Sequence, residues 1–299
     1  MGYSKVIHVD VVWWFWPLAL FIFTLVIGII APVSGVGGGV LFVPLATAFF
    51  PFHVDFIRGA GLIMALTSAL SSAPQLMKRG LANIKLMAPV VVVSMITSVL
   101  GGMAGLWITN AFPQGKHYVN IALGIVLFVI FVVMVRSKRV EYPEVKSVDP
   151  LTQKLGIRGE WFEPSLDRVV QYQTTNLPIA LPAFAAVGFI AGMFGLGAGW
   201  ANVPVLNLVM GAPIKVATST SMLIISVNDA AAAWVYLANG AILPVIVIPS
   251  VLGITIGARI GARVAARARP RLVRYLVLAI MLLAAVLDII KGLSGLGVI

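Results

Sequence analysis

The chain has 299 residues, of which 60% are hydrophobic and only 10% charged, with a mean hydropathy of +1.04; no soluble fold covers so apolar a chain with water-facing side chains. Lys and Arg number 21 against 10 Asp and Glu, a net charge of +11, and the absence of cysteine excludes disulfides, thiolate metal sites, iron–sulfur ligation and cysteine nucleophiles. Several apolar stretches reach the ~20 residues needed to cross ~30 Å of hydrocarbon, so the sequence predicts a multi-span membrane protein whose basic excess sits in cytoplasmic loops, with no nucleic-acid partner.

In chain order, apolar runs bounded by Gly, Pro or charge occupy 11–33, 38–50, 57–77, 84–110 and 118–135, and then 177–194, 200–210, 216–238, 241–265 and 272–290. The first run follows a single Lys5 and is expected to be a span, not a removed signal peptide. Runs 38–50 and 200–210 are too short for ordinary spanning helices and read as half-helices or tilted pieces. Between the sets, 136–176 carries seven basic and six acidic residues with three prolines and two glycines, the composition of a connector. The expected fold is an all-α polytopic membrane protein with 1–135 as the first membrane repeat, 136–176 as a cytoplasmic loop and 177–299 as the second repeat.

The two sets match without gaps at an offset of 160: Gly28, Gly35, Gly37, Gly39 and Pro44 meet Gly188, Gly195, Gly197, Gly199 and Pro204, and Gly80, Pro89 and Gly101 meet Gly240, Pro249 and Gly261. Glycine and proline mark special backbone positions, so their coincidence is stronger evidence of duplication than shared Ala, Ile or Val. If all ten segments cross, 17 basic residues fall on one side and 4 on the other, which places both termini outside. Five crossings per half make the repeats inverted, an architecture of secondary transporters whose sites lie near the midplane.

Two glycine-rich blocks, Gly35-Val36-Gly37-Gly38-Gly39 and Gly195-Leu196-Gly197-Ala198-Gly199-Trp200-Ala201-Asn202, separate an apolar segment from a short one. They permit close helix packing; equally, they break a helix and present N–H groups and a helix N-terminus to an anion. After each short segment, polar residues share a helical face: Arg58, Gly61, Ser68 and Gln75 in the first half, Thr218, Ser221, Asn228 and Asp229 in the second. Asp229 is an acid at membrane depth, either a proton site or the partner of a neighbouring amide. Arg58, three residues after Asp55, is either half of a local ion pair or a bidentate clamp for an oxyanion. The arginines at 259, 263, 267 and 271 read as anchors for acidic lipid head groups. His8, His53 and His117 show no metal-ligand spacing, and no metal or cofactor is expected.

These paired glycine blocks, running through Pro44 and Pro204, with Ala217-Thr218-Ser219-Thr220-Ser221 downstream of the second, resemble the TauE/SafE sulfite and organosulfonate permease family over nearly the whole chain outside 136–176. The resemblance implies a bacterial inner-membrane permease for small sulfur-containing or carboxylate anions. The residues themselves point to a substrate site at Gly35, Gly37, Gly39, Arg58, Gly195, Gly197, Gly199, Trp200, Asn202, Thr218 and Ser221, with Asp229 as the coupling residue. Arg58 stands where the second half has Thr218, and together with Trp200 it resembles the arylsulfonate-uptake branch. An intramembrane enzyme is disfavoured, since the chain lacks a nucleophile–base pair or metal ligands at depth. An anion channel or a carboxylate exporter of the same architecture is the alternative.

Overall fold

The computed structural model describes residues 14–34, 38–78, 80–136, 140–145, 147–163, 167–265 and 270–298, with side chains described throughout these except at 31–34, 72–75, 261–265, 270–274, 276 and 277. The first half contributes α1 (Phe15–Ser34), α2 (Gly38–Phe49), α3 (Val54–Lys78), α4 (Ile84–Ala111) and α5 (Gly115–Arg136). The second contributes α7 (Leu177–Phe194), α8 (Gly199–Pro204) continued by a π-helical turn (Val205–Val209), α9 (Ile214–Ala238), α10 (Pro244–Ala265) and α11 (Pro270–Gly295). The ten apolar runs thus correspond to helices with ends moved by a few residues, except that 200–210 divides at Pro204. A proline lacks the N–H that would continue the ladder, and the backbone recovers through wider i→i+5 bonds.

Six helices among the described residues are long and apolar enough to cross a membrane: Val54–Lys78, Ile84–Ala111, Gly115–Arg136, Leu177–Phe194, Ile214–Ala238 and Leu278–Gly295. Phe15–Ile30, Gly38–Phe49 and Pro244–Ile260 are shorter apolar helical stretches. Polar groups inside these helices are satisfied locally. Hydroxyls of Thr24, Thr47, Thr67 and Thr255 each donate to the carbonyl four residues earlier, at 2.7–2.8 Å. Asn83 caps α4 by accepting from the Leu86 N–H at 3.1 Å.

The connector adds structure that composition did not suggest. It folds into the short α6 (Pro150–Lys154) and an antiparallel pair, β1 (Arg158–Glu163) and β2 (Arg168–Gln173), so the helical fold carries a two-stranded sheet at one end. Alternation is the cause: Trp161 and Glu163 are buried on one face of β1 while Glu160 and Phe162 are exposed on the other. The hairpin docks on the helices. Glu163 pairs with Lys215 in the first turn of α9 at 2.6 Å, and Asn83 donates to the Tyr172 hydroxyl at 2.7 Å.

Contacts at helix ends fix the direction of the short helices. Trp16, in the first turn of α1, packs at 5.9 Å and 5.6 Å on Phe50 and Phe52, just past the end of α2, so α1 and α2 form a helical hairpin opening away from the connector. Thr175 N–H donates to Met210 O at 2.9 Å and Asn176 to Val209 O at 3.0 Å, so α7 and the α8–π segment form a second hairpin opening toward the connector. The offset of 160 carries α3 onto α9 end for end. It also relates the α1–α10 and α4–α7 seams. A Cβ on Gly28 would lie 2.7 Å from Ile254 O and 3.0 Å from Gly257 Cα; a Cβ on Gly188 would strike Ser94 O and lie 2.6 Å from Thr97 Oγ1. Ile254 and Gly257 stand at the offset partners of Ser94 and Thr97. Only glycine lets the backbones approach this closely.

Candidate functional site

The start of α2 and the break between α7 and α8 meet beside the crossing of α3 and α9. These helices run antiparallel: Arg58 near the start of α3 lies over the Tyr236 ring near the end of α9, 5.7 Å from its centroid, while Thr220 near the start of α9 accepts from the Asn83 N–H just beyond α3, at 3.1 Å. α7 stops at Phe194 because Gly195 and Gly197 adopt φ of +69° and +70°, a left-handed conformation that side chains resist. α8 then restarts at Gly199.

The glycines of this break touch α3 and α9. A Cβ at Gly195 would strike the Arg58 backbone, and one at Gly61 would lie 2.5 Å from Gly195 O. A Cβ at Gly197 would lie 2.8 Å from the Ala65 Cβ and 3.1 Å from Asp229 Oδ2. From the first half, a Cβ at Gly39 would lie 2.8 Å from Leu196 O and 3.1 Å from the Ala65 Cβ, so the start of α2 rests against the break in the second half. Gly35 and Gly37 lie outside the described residues.

Around this junction lies a set of buried polar side chains that have no hydrogen-bond partner among the described residues. Both carboxylate oxygens of Asp229, both amide atoms of Asn202, the Ser221 hydroxyl and Trp200 Nε1 belong to it, and Trp200, at 7% exposed, is the most accessible of the four residues. α8 presents Trp200 and Asn202, and α9, packed on α8, presents Ser221 and Asp229 at a helical spacing of eight. A polar group removed from water without a partner costs ~1–3 kcal/mol, and an isolated charge more. Four such residues on two packed helices, next to the break, make this junction the candidate site.

Two expected residues sit elsewhere. Thr218 donates to Ile214 O at 2.8 Å, one turn back on its own helix. Arg58 is fully buried, ion-paired with Asp55, and donates to Met193 O at 2.8 Å and Gly105 O at 3.2 Å. Asp55 in turn accepts from Thr109 at 2.9 Å. The Tyr236 hydroxyl donates to Gly192 O and Met193 O at 3.1 Å and 3.0 Å. A guanidinium and a phenol therefore satisfy carbonyls at the end of α7, where the helix dipole is negative and the ladder runs out. Asn228, the other amide on the α9 face, donates to Ser94 on α4 at 2.9 Å. Tyr236 escaped the sequence reading although it follows Asp229 by seven residues, two helical turns along the same face.

The family profile described as sulfite exporter TauE/SafE matches residues 20–287. The "Probable membrane transporter protein YunE" of Bacillus subtilis (strain 168) is 24% identical over 228 residues, covering 74% of this chain and 78% of its own length. No solved structure matches. With helices fit to cross a membrane and a family match spanning nearly the whole chain, this multi-pass membrane protein belongs to the TauE/SafE family of membrane transporters.

Proposed function

We propose that this protein is a secondary transporter of small sulfur oxyanions, sulfonates or sulfite, built from two inverted repeats of five segments across the bacterial inner membrane. The reading rests above all on the buried, unpartnered polar set of Trp200, Asn202, Ser221 and Asp229 beside the break at Gly195, Gly197 and Gly199. The anion is held by backbone N–H groups of that break and of its first-half counterpart at Gly35, Gly37 and Gly39, with Trp200, Asn202 and Ser221 supplying side-chain donors. Support for the inversion comes from the matched glycines, the oppositely directed hairpins and the two equivalent glycine seams. The 17 to 4 division of basic residues puts the connector in the cytoplasm and both termini outside.

Arg58 is a positioning residue in this reading: it fixes the end of α7, and through it the break, with Asp55 as counter-charge. Asp229 is the coupling residue. A lone buried carboxylate is costly when charged, and a proton that travels with the anion offsets that cost and removes repulsion toward the substrate. Thr218 completes the polar face at its approach.

Proteoliposome uptake of benzenesulfonate, methanesulfonate, sulfite, sulfate and acetate, with the pH gradient set independently, tests the proposal. Saturable uptake of sulfonate or sulfite with counter-exchange is expected. In the Asp229→Asn variant the anion still binds but uptake no longer responds to the gradient. Uptake linear in concentration with no exchange identifies a channel and defeats the reading, and Asp229→Asn flux with normal pH response defeats the coupling role.

A further inference from the structure

A cavity of about 410 Å³ opens at the end of the bundle away from the connector, apart from the midplane junction. Its walls come from the end of α2 and the turn after it, the first turns of α5 and the last turns of α11: Thr47, His53, Lys116, His117, Asn120 and Lys291 supply the polar lining, and Pro51 and Phe52 an apolar side. Two lysines and two histidines face one cleft. The nearby acids are placed differently. Asp55 lies 3.5 Å from His53 but is engaged by Arg58, and Asp288 is fully buried one turn before Lys291. Lys116 has no ion-pair partner among the described residues.

Asn120, only 5% exposed, lies at the floor of the cleft, where its amide N–H groups are the donors an oxyanion would use. Lys291 donates to Thr47 O near the end of α2, which anchors its ammonium at the cleft wall. The position suits a ligand arriving from water or from the head-group layer. Trp107, Phe112 and Tyr118, all exposed, form a chain of edge-on ring contacts at the adjoining α4–α5 turn, the kind of aromatic belt that marks a membrane–water interface. Thr47 stands eight residues along α2 from Gly39, about 12 Å at 1.5 Å per residue, so the cleft is separated from the midplane junction by most of that helix.

We propose that this cleft is a separate binding site for an oxyanion carried on an apolar body, the anionic head held by Lys116, Lys291 and the Asn120 amide, and the body laid against Phe52 and Pro51. An organosulfonate and an anionic phospholipid head group share that chemistry. Occupancy of the cleft is independent of the transport reading, because binding and not flux is measured.

The test is equilibrium titration of benzenesulfonate, methanesulfonate and sulfate into the protein held in phosphatidylcholine nanodiscs. Benzenesulfonate binds tightest, Lys116→Gln raises its Kd at least fivefold, and Lys116→Gln with Lys291→Gln raises it at least twentyfold. Lys116 is exposed and makes no fold contact that its loss would break, so it keeps the test decisive if the Lys291 variant fails to fold. In nanodiscs containing phosphatidylglycerol, weakened benzenesulfonate binding, together with phosphatidylglycerol retained by the parent in native mass spectra and lost from Lys116→Gln, identifies a lipid head group as the occupant. If neither the free anions nor phosphatidylglycerol respond to Lys116→Gln or to Asn120→Asp, the site does not exist.

Discussion

Gly197→Ala is the sharpest probe of the midplane junction. Its φ of +70° costs a side-chain-bearing residue roughly 1–2 kcal/mol of backbone strain, and the new methyl would lie 2.8 Å from the Ala65 Cβ and 3.1 Å from Asp229 Oδ2. The same strain can be measured without the contacts. Gly240 has φ of +68° and nothing within 4 Å of where its Cβ would be, so Gly240→Ala reports the backbone term alone. Gly240→Ala should lose about 1–2 kcal/mol of stability in a thermal melt, and Gly197→Ala that much plus the cost of moving Ala65 aside. Transport in proteoliposomes should separate them: at least a tenfold fall for Gly197→Ala, equivalent to about 1.4 kcal/mol, against less than twofold for Gly240→Ala. Changing Ala65 to Gly in the Gly197→Ala background removes the nearer obstacle and should recover part of the lost transport, at a helix-propensity cost of about 1 kcal/mol. Parental transport by Gly197→Ala, or an equal loss in Gly240→Ala, would refute the idea that the break is a contact surface for substrate.

Arg58→Ala leaves Asp55 buried without its cation and should destabilise the protein by about 3–5 kcal/mol, with Asp55→Asn in the same chain recovering a good part; additive losses in the double variant would remove the pair from the account. A cysteine at Ser147, in a chain with none of its own, should react with an impermeant thiol reagent only in inside-out vesicles, and labelling in intact cells would overturn the assigned topology. In the connector, partial burial raises the Asp149 carboxyl, but hydrogen bonds from the Thr152 hydroxyl and from the N–H groups of Thr152, Leu177 and Leu151 lower it by more, leaving it below the usual aspartate value. A carboxyl lowered on folding stabilises above the unfolded value of about 3.9 and loses that contribution as the pH falls through the folded one. Protection of the α6 amides, measured relative to their intrinsic exchange rates, should therefore hold at neutral pH and fall only at strongly acidic pH, a fall that Asp149→Asn brings to neutral pH.

The main outline was legible because membrane helices advertise themselves by length, and because a duplicated backbone preserves its glycines and prolines. Gly195 and Gly197 were readable as a break since no other residue type so often takes positive φ. The contacts that decide roles were less so. Arg58 and Asp55 are three residues apart and their pairing was foreseen, but the carbonyls of Gly105 and Met193 that complete the guanidinium's shell come from 47 and 135 residues away. Local spacing carries no trace of such partners. The β-hairpin was missed for a related reason: Trp161 and Glu163 alternate with exposed neighbours for only six residues, too short a run to stand out in a charged segment rich in proline and glycine.

At the offset of 160, the first turns of α3 and α9 match in position but differ in their chemistry. Position 55 is an aspartate clasped by Arg58 of its own helix, and its counterpart 215 is a lysine clasped by Glu163 of the connector hairpin. The starts of these two helices are thus fastened by unlike latches. Arg58 is sealed from solvent, whereas the Lys215 side chain is 45% exposed to counter-ions. With a Debye length of about 8 Å in physiological salt, ionic strength loosens the second latch far more than the first. If the protein works as the proposed carrier, salt should speed opening toward the connector side while leaving opening at the other end almost unaffected.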